Sequence, residues 1–537
     1  MNELADLSQH LRAAARTRPD QPALVCSEGR ISFAELEERC LQCSRGLLRI
    51  GIERGTRTAL LVRPGIDFLT LAFALIRVRA VLVLVDPGIG WKNLGRCLDQ
   101  ASPRAFIGVP LAQAARLLLR WGVETVSVSI TLGGLPFAGG WTLAQVMRLG
   151  EAAGEVESGR VSEDDPAAVV FTTGSTGPPK GVLYSHKMFS AQADLLRGHF
   201  GIQPGEVDLA TFPLFALFDA ALGMTTVFPE MDFTRPGRVD PSRIIRPIQE
   251  HSVTHMFGSP ALLDRVGRFG EINGLKLPTL KRVLSAGAPI GWGVIERFSG
   301  LLGEAAEIHT PYGATEALPV CSIESRELAE QSASPQKGVC VGREVAGVKV
   351  ALIRISDDPI DVWSDDLEVA PGEVGELVVW GPNVSREYFH LPEATRLAKI
   401  GAPEGEIRHR MGDLGCRDPQ GRIWFYGRKS QRVVTSGGCL YTVPCEKVFN
   451  QHPKVFRSAL VGIGRPPRQT PVLCVETEHG AGPDSQLIQE LLDLAAAHPH
   501  CRGIRKVFFH KGFPVDIRHN AKIGREKLAV WAARQPA

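Results

Sequence analysis

Short apolar runs alternate with longer amphipathic stretches through most of the chain. Thr56–Val62 (TRTALLV) reads as a strand, Phe68–Val78 as a helix and Ala80–Val85 as a second strand. Further strand–helix pairs are predicted near Ala105–Gly108 and Leu111–Trp121. Such alternation predicts parallel sheets covered by helices, because a crossover helix brings the chain back to start a parallel neighbour. The longest apolar stretch, Leu69 to Val85, is broken by Arg77 and Arg79 and reads as a buried helix–strand pair, not a membrane span. There is no fixed-period repeat and no low-complexity tract.

From Gly372 to Gly427 the pattern changes. Short segments such as Glu376–Trp380 and Ile423–Tyr426 are separated by Gly, Pro and Asp, which predicts a small antiparallel or barrel-like part. After Arg428 comes a basic turn, Lys429-Ser430-Gln431-Arg432. Beyond it the pattern is α+β, with strands near Ala459–Ile463 and Val472–Glu476 and a helix near Ser485–Ala497. These shifts predict a large domain over 1–427 and a smaller one over 428–537.

At 537 residues the chain is long enough for more than one domain. Hydrophobic residues at 44% and charged residues at 22% match an ordinary globular protein, which excludes disorder and coiled coil as the main architecture. The charge sum, 61 − 58 = +3, lacks the basic excess of a nucleic-acid-binding protein. The eleven cysteines are odd in number and scattered, and the N-terminal segment has early acids and no apolar core before a cleavage site. Both features predict a cytoplasmic protein with no transmembrane segment. Cys40 and Cys43 form a C-x-x-C inside a helical pattern, with no second pair at zinc-ribbon spacing, and read as helix-packing residues.

The strongest local signal is Phe171-Thr-Thr-Gly-Ser-Thr-Gly-Pro-Pro-Lys-Gly-Val182, which follows the strand-like Ala167–Val170. Gly174, Gly177 and Gly181 let the backbone approach a ligand closely. Thr172, Thr173, Ser175 and Thr176 supply hydroxyl donors, backbone N–H groups form an anion-binding concavity, and Lys180 adds a mobile charge. That chemistry suits a triphosphate. It is not a Walker loop, because Lys180 follows proline and precedes glycine.

TTGSTGPPKGV resembles the signature loop of the adenylate-forming superfamily, which includes acyl-CoA synthetases and nonribosomal-peptide adenylation domains. Further motifs recur in the family's order over nearly the whole chain. The resemblance implies an α/β fold: a large N-terminal AMP-binding domain of two doubly wound sheets plus a β-barrel, and a small mobile α+β C-terminal lid. It implies ATP and Mg²⁺ as cofactors. Ser285-Ala-Gly-Ala-Pro289 is similar to the loop that borders the adenine, through Gly287, Ala288 and Pro289. Tyr312-Gly-Ala-Thr-Glu316 matches Y-G-x-T-E: Tyr312 and Gly313 would flank the adenine, Thr315 would bond a phosphate oxygen and Glu316 would hold Mg²⁺. Gly412-Asp413 and Arg428 match the ribose-binding pair. The family's hinge position, usually Asp or Lys, is Ser430 here. Near the C-terminus, PVDIRHNAKIGR fits the catalytic-lysine motif loosely, with Ala521 for its glycine and Lys522 at the lysine position.

His251 and His255 are spaced i, i+4, but no Glu lies between them as in a zinc-binding H-E-x-x-H. Val253–Pro260 resembles a family strand entering the acyl pocket, which makes His255 and Gly258 pocket-lining candidates. His498, His500, His510 and His519 read as surface or packing residues.

The parts imply adenylation of a carboxylate. Many relatives then use coenzyme A as acceptor. Two departures point elsewhere. Where members read L-P-L-F-H-x-F, this chain reads Phe212-Pro-Leu-Phe-Ala-Leu-Phe218, so that Phe215 would line the acyl pocket and Ala216 would leave room for an α-branched acid. This feature and the lid sequence are similar to the β-lactone-forming branch of the superfamily, in bacterial long-chain olefin biosynthesis. That branch implies a 2-alkyl-3-hydroxy fatty acid whose own hydroxyl closes the ring, with other enzymes of the olefin pathway as partners. The alternative is a long- or medium-chain acyl-CoA synthetase, the one reading in which coenzyme A takes part.

Overall fold

The computed structural model describes residues 6–137, 139–153, 162–172, 178–332, 338–478, 484–515 and 523–535. Two seven-stranded, mostly parallel sheets form the larger part. In sheet I the strands run in the order Trp141–Thr142, Val128–Thr131, Ala105–Gly108, Arg57–Leu61, Val81–Leu84, Pro166–Thr172 and Lys180–Ser185, with only the last pair antiparallel. In sheet II the order is Glu307–His309, Arg282–Leu284, His255–Phe257, Val207–Leu209, Thr225–Val227, Pro22–Cys26 and Gly29–Ser32, again with only the last pair antiparallel. Both sheets obey the expected alternation, with helices such as Ile66–Arg77 and Pro260–Ile272 between parallel strands.

The apolar stretch Leu69–Val85 is indeed a helix–strand pair, and its arginines are buried against acids. Arg77 pairs with Glu37 at 2.6 Å and Arg79 with Asp6 at 2.6 Å. Among the described residues no helix is long and apolar enough to cross a membrane. Cys40 and Cys43 are fully buried in the helix Phe33–Arg49, whose N-terminus is closed by a Ser32/Glu35 capping box. Burial pushes the Cys43 thiol up to about 12, so it packs as an inert small hydrophobe.

Sheet III has eight strands. It begins at Tyr312–Ala314, well before the expected Gly372, and takes in Ala317–Ser322, Val339–Glu344 and Lys349–Ile353 before Gly375–Trp380, Ile407–Arg417 and Ile423–Arg428. Some of these strands escape notice in the sequence because a partner is remote. Val339–Glu344, for example, pairs with Ile423–Arg428.

A single 3-10 turn, Lys429–Gln431, leads into the C-terminal part. There Val455–Ile463 pairs antiparallel with Thr470–Thr477, which pairs parallel with Lys506–Phe509. The helix Ser485–Ala497 packs on this sheet, with Asp484 accepting from the Leu487 N–H as N-cap.

Candidate active site

One cleft, with a volume of about 2970 Å³, runs along the C-terminal ends of the strands of sheets I and II and under sheet III and the C-terminal part. That is roughly three times the ~1,000 Å³ upper range of ordinary small-molecule sites. Lys180, Phe215, Gly287, Ala288, Pro289, Tyr312, Gly313, Thr315, Glu316, Asp413 and Arg428 all border it. The parallel topology explains the contribution of sheets I and II, since ligand crevices in open α/β sheets form beyond the carboxyl ends of the strands.

Sheet III places the first polar group. Asp413 and Arg428 lie directly opposite on neighbouring antiparallel strands, and Arg428 Nη1 stands 3.2 Å from Asp413 Oδ1. The same guanidinium donates to the Met411 carbonyl at 3.1 Å. The Tyr312 hydroxyl donates to Asp413 Oδ2 at 2.6 Å. Asp413 raises the Arg428 pKa, while burial and the same carboxylate push the Tyr312 phenol well up, so Tyr312 remains a donor. Gly313, within the same strand as Tyr312, lets it pack close to the returning strand: a Cβ there would lie 2.7 Å from the Ala317 carbonyl oxygen. The pair Asp413–Arg428 thus presents a carboxylate held from two sides, a form suited to vicinal hydroxyls.

A second group centres on Glu316. Its Oε1 accepts from the Tyr388 hydroxyl at 2.7 Å. Tyr388 carries Lys180 Nζ 4.9 Å from its ring centroid and Lys399 Nζ at 5.8 Å. Lys399 is buried and donates to the Ser385 carbonyl and hydroxyl oxygens at 2.5 and 2.9 Å. Burial pushes its pKa down to about 7, against the pull of Glu316. The strand register brings Tyr388 here: it forms a bridge with Val182, and Phe389 N–H donates to the Gly181 carbonyl at 2.7 Å. Behind the motif, the Tyr184 hydroxyl donates to the Thr315 carbonyl at 2.6 Å. Tyr388, Lys399 and Tyr184 were not among the candidates from sequence. Their partners lie 72 and 131 residues away for Tyr388 and Tyr184, and nothing local marks them.

Among the described residues, no group of three or more His, Cys, Asp or Glu side chains could hold a metal ion. Glu316 fits Mg²⁺ in the manner of sites that complete their coordination with substrate phosphates and water: one oxygen is fixed by Tyr388 and the carboxylate borders the cleft.

The phosphate-loop candidates Thr173, Gly174, Ser175, Thr176 and Gly177 lie outside the described residues. The hairpin that brackets them is described: Thr172 pairs with Lys180 and Phe171 with Gly181. Lys522, Ala521 and His519 also lie outside the described residues. Val515 and Ile523 form a β-bridge, and both border the cleft with Arg525. Arg525 holds Glu446 at 2.6 Å and reaches Gln431 at 3.2 Å. Beside Ser430, Lys429 bonds Glu376 at 3.0 Å, and the buried Arg410 holds the same carboxylate at 2.6 Å.

Three candidates do not reach the cleft. Ala216 opens the helix Ala216–Leu222 with its side chain fully buried in the core, and it is Phe215, Leu217 and Phe218 that face the cleft. His255 stands at the start of its strand, away from the carboxyl end where the cleft opens. It is wedged between Arg282 Nη1 at 3.3 Å and Asp208 Oδ1 at 3.8 Å. Burial and Arg282 push its pKa down to about 3. Gly258 packs on a neighbouring helix, where a Cβ would meet Leu263 Cδ2 at 2.6 Å. Phe257, Ser259 and Pro260 are the residues of this stretch that line the cleft. His251 caps the preceding helix and is exposed, so it shares no face with His255.

A family model described as AMP-binding enzyme matches residues 11–389. An olefin beta-lactone synthetase from Xanthomonas campestris pv. campestris is 48% identical, covering 100% of this chain and 99% of its own. An olefin beta-lactone synthetase from Stenotrophomonas maltophilia is 47% identical with the same coverage. Among solved structures, the anthranilate CoA ligase AuaEII in complex with anthranoyl-AMP superposes with a TM-score of 0.80 at 20% identity, covering 100% of this chain and 99% of that one, a likeness of fold.

Proposed function

Because the chain belongs to the AMP-binding enzyme family, we propose that it activates a 2-alkyl-3-hydroxy fatty acid with ATP and closes the product to a β-lactone. The observation that carries this reading is the full-length likeness to two olefin beta-lactone synthetases. In the first step the substrate carboxylate attacks the α-phosphorus of ATP and pyrophosphate leaves, giving an acyl-adenylate. In the second, the 3-hydroxyl oxygen attacks the acyl carbon, its proton is lost and AMP departs with the bonding pair. The four-membered ring closes without an external acceptor. Holding both reacting groups on one bound molecule supplies the effective concentration that a free alcohol lacks.

The roles of the chain's residues follow the chemistry. Asp413, held by Tyr312 and Arg428, would accept the ribose hydroxyls, and Gly287, Ala288 and Pro289 would border the adenine. Lys180 and the hydroxyls of 172–177 would bind the phosphates. A Mg²⁺ ion on Glu316 would supply positive charge beside them. Lys522 would approach the transferring phosphoryl group from the C-terminal part, which we divide from the AMP-binding part at 427/428. We place the enzyme in the cytoplasm, beside other enzymes of the olefin pathway.

The test is mass spectrometry of products from ATP and a 2-alkyl-3-hydroxy acid, with and without coenzyme A. A β-lactone and AMP without coenzyme A support the proposal. Acyl-CoA formed only when coenzyme A is present would replace it with the acyl-CoA synthetase reading.

A further inference from the structure

The substrate of the proposed reaction carries two alkyl chains on adjacent carbons, C2 and C3, next to the carboxyl group. They cannot both follow one narrow apolar tunnel from the phosphate site. The cleft offers two apolar walls. One is aromatic and belongs to sheet II: Phe215 packs edge-to-face on Phe212 at 4.9 Å and on Phe257 at 4.9 Å, with Phe218 at 6.5 Å. The other lies along the carboxyl edge of sheet I and is built from Leu61, Phe68, Leu84 and Val109, with Trp91 and Leu111 at its outer end.

The two walls draw on one buried apolar core and approach each other outside. Phe68, Leu84 and Phe218 belong to the same core cluster. At the outer end the turn after Val81–Leu84 approaches the loop after Thr225–Val227: a Cβ at Gly88 would lie 3.5 Å from Thr234 Cβ. Leu111 is 68% exposed and Trp91 is 56% exposed, so the sheet I wall runs out to solvent. A single acyl chain would occupy one wall and leave the other wetted. The volume, roughly three times the upper range of ordinary sites, leaves room for a nucleotide and two chains together.

We infer that the cleft is forked for a two-chain acid, with one alkyl chain lying on the Phe212–Phe215–Phe257 wall and the other on the Leu84–Val109–Leu111 wall. The inference rests on the reading above for the substrate class. It makes Val109 and Leu111 specificity-determining residues for one chain, and Phe212 and Phe257 for the other.

The experiment uses the full-length enzyme and a set of 2-alkyl-3-hydroxy acids in which the two chains are shortened independently. The readout is kcat/KM for pyrophosphate release, which reports the first step alone. Each methylene moved onto an apolar wall is worth about fourfold. Val109→Phe should reduce the preference for a long over a short version of one chain at least tenfold and leave the preference for the other within twofold. Phe257→Ala should do the reverse. Leu111→Asp sits on an exposed side chain and keeps the test valid if Val109→Phe fails to fold; it should act on the same chain as Val109→Phe, and only on its longest versions. Phe212→Ala serves likewise for Phe257→Ala.

If the variants of both walls change the response to the same chain, or to both chains equally, the fork is wrong. It is also wrong if the wild type takes single-chain acids as well as two-chain acids of equal total carbon. The lactone is measured separately. Chain-specific effects without any lactone would leave the fork standing and overturn ring closure.

Discussion

Tyr388→Phe isolates one hydrogen bond in the candidate site. The substitution keeps the ring, so the contacts of Lys180 at 4.9 Å and Lys399 at 5.8 Å persist. It deletes only the hydroxyl that donates to Glu316 Oε1 at 2.7 Å. Burial and the carboxylate push the Tyr388 phenol well above its usual range, so the wild-type bond is made at every working pH. Hydrogen bonds to charged groups contribute about 1.5–3 kcal/mol. Glu316 is only half-buried and borders the cleft, so water can replace part of the loss, which selects the lower end. About 1.5 kcal/mol is roughly tenfold. ATP–pyrophosphate exchange measured across a Mg²⁺ titration should therefore show about tenfold slower exchange and a higher Mg²⁺ midpoint. Affinity for a non-hydrolysable ATP analogue without Mg²⁺ should stay within about twofold. Unchanged exchange with an unchanged Mg²⁺ midpoint would refute the claim that this bond orients Glu316. An equal loss of Mg²⁺-free nucleotide affinity would show that Tyr388 acts through packing instead.

Asp219 and Asp208 are buried together, and burial pushes Asp219 up to about 7 from its ordinary 3.8; the folded state favours its protonated form, so this stabilisation is present at low pH and is lost as pH rises through about 7. Asp219→Asn should weaken that dependence: its stability relative to wild type should rise between pH 4 and pH 8, and a flat difference across pH would count against a shared proton. Because Ala216 is fully buried, Ala216→His should act as overpacking, costing about 1–3 kcal/mol in stability and slowing branched and unbranched acids alike; selective loss of 2-alkyl acids would restore Ala216 to the pocket. Lys522→Ala should slow adenylation by orders of magnitude with little change in ATP-analogue binding, as expected for a contact made mainly in the transition state, and near-wild-type turnover would remove it from the mechanism.

Much of the fold was legible because it is written in local periodicity. The helix Ser485–Ala497 is found with its expected bounds, and Thr56–Val62 and Ala80–Val85 differ from the observed strands by only a residue or two at their ends. Sheet III was legible only from Gly372 onward. Among its earlier strands Tyr312–Ala314 is only three residues long and carries no alternation. Tyr312–Ala314 becomes a strand by hairpin pairing with Ala317–Ser322, and Val339–Glu344 by pairing with the distant Ile423–Arg428, contacts that local alternation does not announce.

The site divides along the same physical line. Motif residues on the rims of the sheets, such as Glu316, Asp413 and Arg428, could be read because their chemistry and order are local signals. Their supports could not. Tyr388 is a tyrosine in an unremarkable turn until the bridge to Val182 brings it to Glu316, and Lys399 is an ordinary lysine until burial lowers its pKa to about 7. Ala216, His255 and Gly258 match family motifs by position, but facing is set by helix phase and by height along a parallel strand. Phe215, Leu217 and Phe218 surround Ala216 in sequence and take the cleft wall, while Ala216 points into the core. His255 lies in the right strand at the wrong end, where Asp208 and Arg282 claim it. The size of residue 216 therefore cannot make room for a branch directly. The room that a two-chain acid needs lies instead between the aromatic wall of sheet II and the aliphatic edge of sheet I, two surfaces that are more than a hundred residues apart in the chain and share one cleft because both sheets end there.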